Sequence, residues 1–125
     1  MSKEKECSKK FPDKNYYEIE CTLRYALDIF GQKWKLPIIW YLYENETTRF
    51  NELKRKTKGI TNVMLTKSLR ELEENNLVIR KQYNTIPSKV EYSLSQRGKD
   101  LLPVLNELNS WGEKQIMIDR EKDNI

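Results

Sequence analysis

Apolar residues recur at helical spacing along most of this chain, and polar or glycine-bearing gaps divide them into elements. Leu23, Ala26, Leu27 and Phe30 fall at i, i+3, i+4 and i+7, and Gly31 closes that helix as a C-cap would. A second helix carries Trp34, Ile38, Tyr41 and Leu42 on one side, with Pro37 in or just past its first turn, where a missing N–H costs least. Glu44, Asn45 and Glu46 mark a loop, and residues 47–50 predict a short strand. Asn51 is suited to cap a following short helix in which Phe50 and Leu53 face inward. Gly59 then supplies a turn, Ile60 enters the core, and Thr61 caps a helix from Asn62 to about Asn75. Leu65, Leu69 and Leu72 repeat at i, i+4 and i+7 within it, so they face inward with Met64 at the edge.

Asn75 and Asn76 both tolerate the left-handed conformation that ends a helix. Residues 77–83 and 90–94 predict paired strands, joined by a polar loop that contains Pro87 and is too long for a two-residue turn. Ser95 caps a final long helix whose stripe is Leu101, Leu105, Leu108 and Trp111, extended to Ile118 and bent at Pro103. The predicted fold is mainly α with a small β-hairpin: a winged helix-turn-helix with a three-helix core plus wing, and N- and C-terminal dimerisation helices. The terminal stripe is longer than one small domain can cover, so Leu23, Leu27, Leu105, Leu108 and Trp111 are expected at a homodimer contact. A chain of 125 residues builds one core. Residues 1–15 form a Lys/Glu-rich flexible arm, 16–118 the DNA-binding and dimerisation domain, and 119–125 a C-terminal tail.

Charge sharpens this picture. The net charge of +4 is modest, but residues 49–70 sum to +6 and residues 80–89 to +3, leaving −5 on the remainder. Positive charge confined to the predicted helix-turn-helix and hairpin makes a face for a polyanion. The chain has no histidine, which removes the commonest general base and metal ligand. Its two cysteines, Cys7 and Cys21, cannot complete a tetrahedral zinc site alone. No enzyme, metal or cofactor is therefore expected. No apolar run approaches a membrane span, and residues 1–14 are polar, so a cytoplasmic bacterial protein is expected.

The expected activity is sequence-specific binding of double-stranded DNA, with recognition helices in successive major grooves about 34–36 Å apart. Thr61, Asn62, Thr66 and Lys67, with the methyl groups of Val63, would approach base edges. Arg49, Arg70 and the wing residues Tyr83, Asn84, Ser88 and Lys89 would hold the backbone. Two other readings stay open at this point. One is a protein–protein module that meets an acidic partner without specific DNA binding. The other is a regulator that holds an aromatic ligand in a dimer cleft lined by Trp34, Tyr41 and Trp111.

Several local motifs together resemble the HxlR-type transcriptional regulators. They are Cys21 with Gly31 ten residues on, Lys33-Trp34, Arg49-Phe50-Asn51-Glu52-Leu53 and Gly59-Ile60-Thr61 with Leu65. Leu69-Arg70-Glu71-Leu72-Glu73, Leu77-Val78-Ile79-Arg80 and the run from Pro87 to Gly98 match as well, with residues 101–105 beyond. The resemblance implies a dimeric winged helix related to the MarR regulators, acting on near-palindromic promoter sites as repressor or activator. It also implies an effector, a small molecule or an electrophile, with Cys21 as the candidate redox-sensing residue. Here Thr22 follows Cys21 where proline is usual, and Gln32 stands where glycine or lysine is common. A thiolate at Cys21, near a helix N-terminus, would be activated by the helix dipole, and the residue reads equally well as a small buried hydrophobe at a helix start. Cys7, on the arm, is taken as incidental.

Overall fold

The computed structural model describes residues 19–123. Within them the order is α1 (Ile19–Phe30), α2 (Lys35–Glu44), α3 (Phe50–Lys56), α4 (Asn62–Glu74), β1 (Val78–Tyr83), β2 (Lys89–Leu94), α5 (Gln96–Lys99) and α6 (Leu102–Asp123). This is the mainly helical winged helix-turn-helix that the sequence pattern predicts. The expected arm, residues 1–15, lies outside the described residues.

The core follows from the periodicities. Leu65, Leu69 and Leu72 of α4 are fully buried against Ile38, Ile39 and Leu42 of α2 and Leu53 of α3. Each such leucine contributes about 1.5–3 kcal/mol over leaving it in water. Ile60 joins the core from the turn before α4, and Leu105 joins it from the first turn of α6. Gly31 ends α1 with its N–H donating to the Leu27 carbonyl at 2.7 Å, and an added Cβ there would lie 2.4 Å from that oxygen. Asn76 takes the left-handed conformation, at φ 64°, and turns the chain from α4 into the hairpin.

β1 and β2 pair antiparallel, with Val78 opposite Leu94 and Tyr83 opposite Lys89. The hairpin is fastened at both ends of its base. The Leu77 N–H donates to Leu72 at the end of α4, and the Ser95 N–H donates back to Leu77. Thr48 exchanges two backbone hydrogen bonds of 2.9 Å with Tyr92. Gly98 then sits so close under Leu77 that a Cβ would come within 2.4 Å of its carbonyl oxygen.

Four local expectations are corrected. The strand expected at 47–50 is a single bridge at Thr48, because Phe50 already belongs to α3. Asn51 is therefore inside α3, and Arg49 takes the cap position with no side-chain cap bond. Ser95 caps the one-turn α5, its hydroxyl accepting from the Gly98 N–H at 3.1 Å, instead of a continuous terminal helix. The chain breaks after it, so Pro103 falls in the first turn of α6, where it costs no hydrogen bond. α6 continues to Asp123.

Candidate nucleic-acid interface

Thr61 builds the start of the interface. Its hydroxyl accepts from the Met64 N–H at 3.1 Å, satisfying one of the free amides of the first turn of α4. With the three leucines turned inward, Asn62, Val63, Thr66, Lys67 and Arg70 are left on the exposed side, Val63 at 74% exposure. These five residues line one shallow concavity of about 630 Å³, together with Glu71 and Glu74. The helix thus carries amide, methyl, hydroxyl and cationic groups in succession, the donor and contact types that base edges and phosphates take.

The acids Glu71 and Glu74 were not singled out from the sequence. Lys35, at the start of α2, sits beneath this face: its Nζ lies 2.9 Å from Glu71 Oε1. The hydrogen bond from the Lys35 ammonium holds the Glu71 carboxyl below the usual carboxylate range. Burial opposes that shift, while the charges of Lys35, Lys67 and Arg70 reinforce it.

In the wing, two ammonium groups approach the Tyr83 ring, Lys81 Nζ at 4.9 Å and Lys89 Nζ at 4.8 Å from its centroid. Ring and cations attract through the aromatic quadrupole. Lys89 also pairs with Glu91 at 3.7 Å. Lys81, not among the individually expected wing contacts, is brought beside Tyr83. Strand alternation carried the signal, since residues 81 and 83 share a face and Tyr83 is paired with Lys89. Asn84 and Ser88 are exposed in the connecting loop, where the Thr85 hydroxyl donates to the Pro87 carbonyl at 2.8 Å. Arg49 is exposed at the cap of α3.

The residues expected at a dimer contact divide. Leu23 and Leu27 on α1, and Leu108 and Trp111 on α6, are exposed, Trp111 at 63%. Leu105 is 8% exposed and belongs to the protomer's own core, so it is removed from that set. The groove between α2 and α6, about 560 Å³, is lined by Tyr41 with Trp40, Leu36, Leu108 and Ile116 among others. Cys21 is 4% exposed and disulfide-bonded, which replaces the expected free thiolate. Cys7 lies outside the described residues. No helix among the described residues is long and apolar enough to cross a membrane.

A helix-turn-helix, a capped second helix with an exposed amide, methyl and cation face, and a lysine-bearing hairpin define a DNA-binding transcriptional regulator of the winged-helix class. The chain belongs to the HxlR-like helix-turn-helix family, whose pattern matches residues 29–120. It is 49% identical over 90 residues to the uncharacterized HTH-type transcriptional regulator BH0655 of Halalkalibacterium halodurans, covering 72% of this chain and 80% of that protein. Among solved structures it resembles the redox regulator HypR in its reduced form, with a TM-score of 0.74 and 37% identity over 80% of this chain and 98% of that one. A protein of the MarR family from Enterococcus faecalis V583 gives a TM-score of 0.72 at 35% identity, over 84% of this chain and 94% of that one.

Proposed function

We propose that this chain acts as a cytoplasmic homodimer on near-palindromic promoter DNA, with α4 of each protomer in a major groove and the hairpin beside it. The observation that carries this reading is the exposed side of α4, where Asn62, Val63, Thr66, Lys67 and Arg70 line one concavity while the leucines of the same helix fix it to the core. Thr61, Asn62, Thr66 and Lys67 approach base edges, with Val63 placed for a thymine methyl. Arg49, Arg70, Tyr83, Asn84, Ser88 and Lys89, joined by Lys81, hold phosphates. Dimerisation covers the exposed apolar residues of α1 and α6, Leu23, Leu27, Leu108 and Trp111, which are costly to leave in water as a group.

The regulator responds to oxidation at Cys21. Disulfide formation removes two electrons and two protons from a pair of thiols, which an oxidant such as diamide accepts. Support comes from the disulfide state of Cys21 and from the likeness to HypR, a redox regulator. Fluorescence-anisotropy titration against the DNA upstream of its own and neighbouring genes, with excess unrelated competitor, tests the reading. Competitor-resistant binding that changes with diamide supports it, and Cys21→Ser should abolish the change. Binding erased equally by any competitor leaves a generic polyanion surface and brings forward an acidic protein partner instead.

A further inference from the structure

Among the described residues Lys35 is the only charged one that is buried, at 2% exposure. Its placement works against stability in two ways. Burial strips the ammonium of water, and its position as the first residue of α2 sets it at the positive end of a helix dipole whose first turn contains no acid. What compensates it lies on another element: Glu71 on α4, at 2.9 Å. Glu71 in turn stands one helical turn after Lys67 and next to Arg70, on the concavity that these cations line.

We propose that Lys35 is a positioning residue for DNA recognition, holding the Glu71 carboxylate beneath α4 so that Lys67 and Arg70 remain available to phosphate. The inference rests on the DNA-binding reading above. A carboxylate four residues after a lysine on a helix lies within reach of it, and ion pairs form at that spacing. Released from Lys35, Glu71 would turn to Lys67 or remain as an unpaired negative charge facing the DNA backbone. Either result subtracts positive charge from the face. The pair also ties α4 to α2 by a directional contact that the surrounding leucines lack.

The test measures anisotropy of a wild-type-selected duplex between 50 and 200 mM salt, alongside thermal melts that report the folded state. Lys35→Met keeps most of the apolar stem and removes the charge. It should fold, lose about 0.9 from the salt slope per protomer, and so bind as a dimer roughly 60-fold more weakly at 0.1 M salt, relative to 1 M. Adding Glu71→Gln in the same chain should restore the slope without restoring the melting temperature, and Lys35→Arg should keep the wild-type slope. A folded Lys35→Met protein with unchanged affinity and slope overturns the proposal, as does a double variant no better than Lys35→Met alone. Should Lys35→Met fail to fold, Glu71→Gln alone decides: an unchanged slope supports a carboxylate already held away, and a steeper one refutes it. Wild type that selects no duplex at all brings down the DNA-binding reading itself, a result distinct from a binder insensitive to Lys35.

Discussion

Replacing Lys67 by alanine gives the most direct measure of the proposed interface. Lys67 is exposed in the second turn of α4, on the concavity that also holds Asn62 and Arg70. The acid one turn beyond it, Glu71, is engaged by Lys35 at 2.9 Å. Its ammonium is therefore taken to be free for phosphate. Each neutralised phosphate contributes about 0.9 to the slope of log affinity against log salt, so one contact is worth about 8-fold in affinity at 0.1 M relative to 1 M. Two symmetry-related lysines in a dimer then account for roughly 60-fold at 0.1 M, shrinking towards nothing as salt approaches 1 M. The assay is anisotropy with specific and scrambled duplexes over that salt range. Lys114→Ala, an exposed lysine on α6, serves as the control for generic loss of charge. Both duplexes should weaken together if Lys67 holds phosphate, and the specific one should suffer more if it also reaches a base. An unchanged slope with unchanged affinity would remove α4 from the DNA and refute the reasoning.

Gly98→Ala should destabilise the protein by about 1–3 kcal/mol, because the new methyl would meet the Leu77 carbonyl at 2.4 Å; thermal denaturation would show it, and an unaltered melting temperature would count against the packing argument. Glu71 sets a pH dependence. Its carboxyl is held below the ordinary value of 4.5, so its contribution to stability is complete above that value and is lost as pH falls through the lowered one. Urea melts should show Glu71→Gln flattening this acid limb, whereas a limb unchanged by the substitution would place the titrating group elsewhere. Trp111→Asp should shift the protein from dimer to monomer in sedimentation while leaving each protomer folded, because the ring is 63% exposed in the single chain. A variant that stays dimeric would move the contact away from α6.

Helix α4 was legible from sequence because three independent signals coincide there. The Leu65, Leu69 and Leu72 repeat fixes its inner face, Thr61 starts it, and the Asn75-Asn76 pair ends it. The divided C-terminal segment was not legible. Leu101, Leu105 and Leu108 keep helical phase across the break, so periodicity alone sees one helix. The start of α3 was misplaced because a favourable cap residue, Asn51, lies close to the real boundary, and the backbone at Arg49 settles the choice. Leu105 was assigned to a partner because its stripe reads the same whether it packs on its own core or on another chain. Lys35 was invisible for a related reason. A lysine beside Trp34 and Leu36 reads as surface, and its partner Glu71 stands 36 residues away on α4.

α6 has 22 residues, a rise of about 33 Å, yet its one buried residue, Leu105, lies in its first turn. The helix is thus anchored near the DNA-binding body, and beyond Leu105 it faces α2 only across a groove that reaches Ile116. A tilt of about 5° at the anchor carries its far end by about 3 Å at that length. Run in reverse, a shift of a few ångströms where two such helices cross reorients the heads they carry. In the proposed homodimer, operator spacing would then follow the angle between two helices placed away from the proposed DNA face.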